Sequence, residues 1–367
     1  MNRSVGIKAV AIELPKGVRT NQYWHNRHPE LVRAIIEKRK ARLFATEATR
    51  PAEGFEAEMA AFQADPFKGT VERRVLTSGE TALTLEAGAA RRALAAAGLE
   101  AKDVDLVIVC SFLPDHFGAM NAAYLAREVG FEGLAFNLES ACSGSLVGLQ
   151  TACGLVAAGQ YRNAMVVASC TYSRDTDPRD MLSFTVGDGA GAILVGEVEP
   201  GYGRLGGMGF HTGHSCGALA FENYARDDGS LWFRLRATPE AGSVLKDMAK
   251  ESLERSVHGA LKNAGIALEE IDAFVFNTPF AWYAKFCART LGVDPARTVN
   301  PYALYANTGP ALMPTNLYHM AKERPLRRGD LVLFHTIGSV WSAGAMVLRW
   351  SGAALGVEPA IASVNAD

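Results

Sequence analysis

Residues 93–109 read ALAAAGLEAKDVDLVIV, and residues 260–276 read ALKNAGIALEEIDAFVF. Ala93, Leu94, Ala97, Gly98 and Asp105 of the first stretch recur as Ala260, Leu261, Ala264, Gly265 and Asp272, each 167 positions later. In both copies an amphipathic helix ends at a glycine able to take φ > 0 as a C-cap. An acidic turn follows, then a continuous apolar run of the kind found in a buried strand. Working outward, 163–169 (NAMVVAS) is echoed by 329–335 (GDLVLFH), and 191–195 (GAILV) by 344–348 (GAMVL). A period this long, present twice, marks a duplicated α/β half rather than a solenoid. The expected architecture is two pseudo-symmetric layered α/β halves, 1–200 and 201–352, meeting near Glu199-Pro200-Gly201, with 353–367 as a frayed tail.

The 367 residues are 49% hydrophobic and 21% charged, enough apolar material for one large core or two fused ones. A formal net charge of -2 leaves no overall basic field to favour nucleic acid or an anionic membrane. No stretch approaches the roughly 18 apolar residues of a membrane span. The start, Met1-Asn2-Arg3-Ser4-Val5-Gly6-Ile7, carries no apolar leader core. A cytoplasmic protein acting on small molecules or acidic carriers is expected. The six cysteines (Cys110, Cys142, Cys153, Cys170, Cys216, Cys287) show no CxxC pairing and read as reduced thiols. Residues 22–66 fit the repeat poorly; they read as a helical insertion that lids a site, extends a dimer contact or simply lies on the surface.

Cys142 lies in NLESACSGS (137–145), between an apolar run at 134–138 and a helix pattern at 146–158. A cysteine on a tight strand-to-helix turn meets free N–H groups and the positive end of a helix dipole, which favour thiolate and can hold an oxyanion. From context alone Cys142 reads equally as a nucleophile or as a buried structural thiol. Cys110, Cys153 and Cys170 fall inside helix or strand patterns and read as core residues.

Six segments in order resemble β-ketoacyl-acyl-carrier-protein synthase III, a family of the five-layered thiolase fold. They are Leu14-Pro15 with Val18-Arg19-Thr20-Asn21, GTVERR at 69–74, ACSG at 141–144, Asp177-Pro178, GDGAGA at 187–192 and Asn307-Thr308. The resemblance implies an acyltransferase with Cys142 as nucleophile and Asn307 as a catalytic amide. It implies acyl-CoA or acyl-carrier-protein thioesters as substrates, no permanently bound cofactor or metal, and a homodimer paired near His116. The repeat is consistent, because the Asn307 turn falls opposite the Cys142 turn.

The pattern breaks at the family's catalytic histidine. An ungapped alignment puts Asn277, in NTPF (277–280), at that place. An amide can donate to a developing enolate, but it cannot take or return a proton near neutral pH. Asn277 is therefore expected to bind the second substrate's carbonyl beside Asn307, with backbone N–H groups near Cys142 and Ser339 holding the oxyanion. His335 either substitutes as a base or is a satisfied core histidine; alternation turns Thr336, not His335, toward the cysteine. His116 reads as structural, and His258 and His319 as surface residues. HTGHSC (211–216) lacks the paired half-sites of a zinc motif, and GDGAGA reads as close backbone packing rather than a dinucleotide site. The family's coenzyme A tryptophan falls in the rewritten 22–66 region, and Met181 occupies its arginine position. Lys285 and Arg289, one turn apart, either meet an acidic carrier or form a solvated helix face.

The expected function is acyl transfer through Cys142, onward to a malonyl-type thioester in fatty-acid or polyketide assembly. The alternatives are non-condensing transfer to an oxygen, nitrogen or sulfur acceptor, and a largely non-catalytic subunit of a heteromeric synthase.

Overall fold

The computed structural model describes residues 3–46, 56–211, 216–217, 219–225, 229, 231–238, 241–338, 342–360 and 363–364. The chain opens with β1 (Val5–Glu13) and β2 (Gly17–Thr20), then α1 (Asn21–Arg27), α2 (Pro29–Thr46), α3 (Glu56–Ala60) and β3 (Glu72–Val75). The first copy of the repeat forms α4 (Ala82–Ala97) and β4 (Leu106–Phe112). Then come α5 (Ala122–Val129), β5 (Leu134–Asn137), α6 (Gly144–Ala157), β6 (Asn163–Thr171), α7 (Tyr172–Asp175) and β7 (Asp188–Glu197). After β8 (Gly203–His211) and the antiparallel pair β9 (Leu219–Ala225) and β10 (Leu231–Ala237), the second copy forms α8 (Ala241–Ala264) and β11 (Ala273–Phe276). The chain continues through α9 (Tyr283–Leu291), α10 (Tyr302–Tyr305), α11 (Leu312–Glu323), β12 (Leu331–Gly338) and β13 (Ser342–Arg349), with β14 (Ala354–Leu355) and β15 (Ser363–Val364) at the end.

The repeated residues do the same work in each copy. Gly98 and Gly265 follow their helices with φ of 63° and 66°, the left-handed conformation that closes a helix. Asp105 accepts hydrogen bonds from the N–H groups of Arg162 (2.8 Å) and Asn163 (3.2 Å), at the entrance to β6. Asp272 accepts from Leu331 N–H (2.8 Å), at the entrance to β12. Each aspartate ties the start of its own strand to the next strand in the sheet.

The sheets match accordingly. One runs β14-β1-β7-β6-β4-β5 and the other β11-β12-β13-β8. In each, the repeat strand pairs parallel with a later strand (β4 with β6, β11 with β12); that strand pairs antiparallel with β7 or β13, which in turn borders β1 or β8. Helices α6 and α11 lie between the sheets: α6 touches β4, β6, β12 and β13, while α11 touches β1, β7 and β11. Helix α4 covers the outer face of the first sheet and α8 that of the second. The result is an αβαβα stack, the thiolase fold.

Three apolar cores follow from the five layers. The central one holds Ile108, Leu149, Val275, Leu317 and Phe334; the outer two gather under α4 and under α8. Phe334 is fully buried. Phe334→Ala is expected to cost about 3–5 kcal/mol of unfolding free energy, because it removes a large ring and leaves a cavity; urea denaturation measures it.

Glu86 on α4 is the main polar intrusion. Ser169 Oγ donates to its Oε1 at 2.6 Å and Asn121 Nδ2 to its Oε2 at 2.9 Å. Burial nonetheless pushes the carboxyl up to about 7. The native state then keeps a proton that the unfolded state releases at its ordinary value near 4.5. The stability this supplies is full below about pH 4.5 and is lost as pH rises through about 7. Glu86→Gln is expected to flatten that fall, worth about 3 kcal/mol, in urea titrations at pH 5 and pH 8.

The end of the chain departs from the frayed tail. Ala354 and Leu355 pair parallel with Ala9 and Val10 of β1, and Ser363 and Val364 pair with Gly17 and Val18. A short alanine-rich tail broken by Gly356 and Pro359 gives no periodic signal, but the open edges of β1 and β2 capture it. Trp24 of the 22–66 segment packs with Phe67 and Phe184, and the Arg73 guanidinium lies 4.3 Å from the Trp24 ring centroid.

Candidate active site

Strand β5 delivers the chain to a short 3-10 turn, Ala141–Ser143, that runs directly into α6. Cys142 sits in that turn at the mouth of a 14-residue helix, where the helix dipole favours negative charge. At 6% exposure it retains the largest accessible share of the five buried cysteines. The other four behave as core residues. Burial pushes the Cys153 thiol up to about 12, and the Cys110, Cys170 and Cys287 thiols are also raised by burial.

The turn is held under backbone strain. Ala141, immediately before the cysteine, has φ of 47°, which side chains rarely adopt. The Glu139 carboxylate accepts a hydrogen bond from Ala141 N–H at 2.5 Å. From the second sheet, β12 closes on the turn at Gly338, where a Cβ would meet Ser140 O and Ser143 N at 2.8 Å each. Only glycine allows that approach.

The Asn307 turn meets the same spot from the opposite half. Asn307 O accepts from Gly187 N–H and Asn307 N–H donates to Thr185 O, both at 3.0 Å. The residue before it, Ala306, also carries a positive φ, 55°. Asn307 Oδ1 accepts from Gly309 N–H at 2.8 Å, which fixes the amide with its Nδ2 turned away from that bond. The 3-10 turn Gly309–Ala311 packs directly on the Cys142 turn, with a Cβ at Gly144 falling 3.8 Å from Pro310 Cβ. The glycines of GDGAGA serve this packing: Gly187 lies against Tyr305 O, and a Cβ at Gly191 would meet Pro314 at 2.6 Å. They lie in and beside the central strand β7 and open no helix.

Asn277 is fully buried and lies on the inner side of β11's end, in phase with Ala273 and Val275. Its Nδ2 donates to Ile337 O at 2.8 Å and its Oδ1 accepts from Ile337 N–H at 3.1 Å. The amide thus clasps the backbone of β12 one residue before Gly338. Sequence reading placed it on substrate; the geometry gives its two polar atoms to the strand. Ser339, expected to help hold an oxyanion, lies outside the described residues, as do 212–215 of the HTGHSC segment.

His335 points to the outer layer. Its Nδ1 is 3.0 Å from Ser256 Oγ and its Nε2 3.1 Å from Tyr283 OH. Burial lowers its pKa to about 3, so it is a neutral, satisfied core histidine. Thr336, next in the strand, is buried with no partner for its Oγ1 among the described residues. His319 is a correction: it is not on the surface but buried, between Tyr305 OH (3.1 Å) and Glu323 (2.8 Å). Helix α11 is sandwiched between sheets, so Thr315, Asn316 and His319 are buried, and only its last turn, with Lys322 and Glu323, reaches the surface. His258 is exposed, and His116 stacks on Tyr124 with ring centroids 3.8 Å apart.

Sequence reading missed Tyr172, the first residue of α7. It is 5% exposed and packs with Leu113, Cys170 and Val186. A lone tyrosine after a strand gives no pattern that would have found it. At the substrate end, Trp24 is 1% exposed and donates to Pro178 O (2.9 Å), so it is closed off as a stacking surface. Met181 is 47% exposed. Arg289 is engaged, donating from Nη2 to Glu58 Oε2 at 2.9 Å, and Lys285 stands on the exposed side of α9.

The stacked halves and the thiol at their junction define a thiolase-fold acyltransferase. The family models described as 3-oxoacyl-[acyl-carrier-protein] synthase III and its C-terminal part match residues 136–213 and 261–350. The β-ketoacyl-[acyl-carrier-protein] synthase III of Gloeobacter violaceus is 34% identical over 291 residues, covering 77% of this chain and 88% of that protein. The chain belongs to the β-ketoacyl-[acyl-carrier-protein] synthase III family. Among solved structures, the Thermus thermophilus enzyme of that name superposes with a TM-score of 0.75 at 27% identity, covering 95% of this chain and all of that one. The priming β-ketosynthase of the R1128 polyketide pathway shares the fold, with a TM-score of 0.78 at 22% identity over 96% and 97% of the two chains. No helix among the described residues is long and apolar enough to cross a membrane.

Proposed function

We propose that this acyltransferase carries its acyl group as a thioester on Cys142 and passes it to a malonyl-type thioester, priming a fatty-acid or polyketide chain. In the first step the Cys142 thiolate attacks an acyl thioester of coenzyme A or of a carrier protein. The new carbon–sulfur bond forms, the carrier's bond breaks, and the carrier leaves as its thiol. N–H groups at the mouth of α6 face the developing oxyanion. In the second step a malonyl-type thioester loses carbon dioxide, its enolate attacks the acyl carbonyl, and the Cys142 sulfur is released.

The observation that carries this reading is the packing of the Asn307 turn on the Cys142 turn, with the Asn307 amide oriented by Gly309. Asn307 Nδ2 supplies the donor for the second thioester's carbonyl. Asn277 acts at one remove: by clasping Ile337 it sets the end of β12 that abuts the nucleophile turn. The buried Trp24 and the methionine at 181 argue for a carrier protein over free coenzyme A, since neither supplies the stacked, charged clamp of an adenine site.

Non-condensing transfer has one observation in its favour: no imidazole in the described part of the site is oriented to share the enolate's charge. The acyl-enzyme, isolated and mixed with malonyl-carrier protein, decides. Release of a β-ketoacyl thioester with carbon dioxide is expected. An adduct that survives malonyl-carrier protein but discharges to an alcohol or amine would show non-condensing transfer.

A further inference from the structure

We propose that His319, oriented by Glu323, is a positioning residue for the second step: it grips the Tyr305 hydroxyl and so sets the backbone that carries Asn307. The inference rests on Asn307 supplying the donor to the second thioester's carbonyl.

The chain reaches Asn307 through a strained residue. Ala306 closes α10 with φ of 55° and ψ of -153°, a region essentially reserved for glycine. A backbone persists there only where its surroundings over-determine it. On the far side, Asn307 N–H donates to Thr185 O and Asn307 O accepts from Gly187 N–H, both at 3.0 Å. On the near side, Ala306 N–H donates to Tyr302 O at 2.8 Å. A Cβ at Gly187 would lie 2.4 Å from Tyr305 O, so that carbonyl is pressed against the start of β7. The Tyr305 side chain completes the clamp. Its ring lies in the central core, and its hydroxyl is 3.1 Å from His319 Nε2.

His319 is built to accept that bond. It is buried on α11, with Nδ1 2.8 Å from Oε1 of Glu323, one turn further along. A carboxylate only accepts, so Nδ1 carries the proton and the neutral ring leaves Nε2 as an acceptor. Burial pushes the Tyr305 phenol up to about 12, so it keeps its proton and donates to Nε2. The Arg74 guanidinium packs on the same ring, 5.8 Å from its centroid. Carboxylate, imidazole and hydroxyl stand in the order of a nucleophilic triad. A phenol titrating near 12 is no nucleophile at neutral pH, so here the order serves geometry.

The chain of contacts therefore ties a helix packed between the sheets to the residue just before the strained alanine. Releasing Tyr305 frees Ala306 to relax and shifts the Asn307 amide. The Cys142 turn has its own supports in Glu139, Gly338 and α6, so loading does not depend on this tie.

The test is single-turnover loading and discharge in two variants of the full chain. His319→Leu keeps the bulk and loses the acceptor. It is expected to load within about twofold of the wild type and to discharge to malonyl-carrier protein about tenfold to a hundredfold more slowly, the scale of a small misplacement at a reacting centre. His319→Gln, whose Oε1 can stand where Nε2 stands, is expected to recover most of that loss. A folded His319→Leu that discharges normally, or that loses both steps equally, would overturn the proposal. A glutamine variant no better than the leucine variant would overturn it as well. Should His319→Leu not fold, Tyr305→Phe decides, because it removes one oxygen and keeps the ring: unchanged discharge, or equal loss of both steps, would overturn the proposal. Normal discharge in Asn307→Ala would instead remove the reading on which the inference rests, a different failure.

Discussion

Replacing Cys142 with alanine is expected to abolish acyl loading and to lower turnover on the order of 10⁴-fold or more, the scale seen when a covalent nucleophile is removed. Stability should change little. The side chain is small, its turn is fixed by Glu139, Gly338 and the start of α6, and none of these contacts uses the sulfur. A melting temperature near the wild type together with lost loading separates chemistry from folding. A variant that loads and turns over at the wild-type rate would show that another group carries the acyl chain.

Asn307→Ala is expected to spare loading and to slow discharge to the malonyl-type substrate by about 10²–10³-fold, the usual cost of removing one oxyanion donor. The two steps part because Asn307 lies on the turn opposite the thiol and outside the helix mouth that serves the first step. The alanine variant also loses the Oδ1 acceptor for Gly309 N–H, which could by itself shift the turn. Asn307→Asp controls for this, since it keeps the acceptor and loses the donor. Equal losses in both variants assign the effect to Nδ2; recovery in the aspartate variant would assign it to the turn. Single-turnover measurements of loading and of discharge resolve the two steps.

The fold was legible where local and global signals agree. The recurrence of Gly98 and Asp105 as Gly265 and Asp272 reports two φ-positive helix ends and two strand-entry ties, and those fix the equivalence of the sheets. The cysteine turn was legible because small residues between an apolar strand and a helix mark a close approach, which Gly338 then makes. What escaped depends on contacts far apart in sequence. His319 looked like a surface residue because nothing in α11 itself says that both of its faces are covered. Asn277 looked like a substrate ligand because its position is known from alignment, while its bond partners at Ile337 lie 60 residues away. Tyr172 was invisible for the same reason: Leu113, against which it packs, lies far upstream in the chain.

Strain was hidden as well. Ala141 and Ala306 precede the two residues on which the account rests, and both hold positive φ that only the surrounding packing can enforce. Alanine gives no hint of this in sequence, whereas glycine would.

The most direct measurement is to incubate the intact protein with short acyl thioesters, digest it, and locate the acyl group by tandem mass spectrometry. A single acyl mass on the sulfur of Cys142, removable by hydroxylamine, is the result predicted here. An unmodified protein, or an acyl group on any other residue, would contradict it.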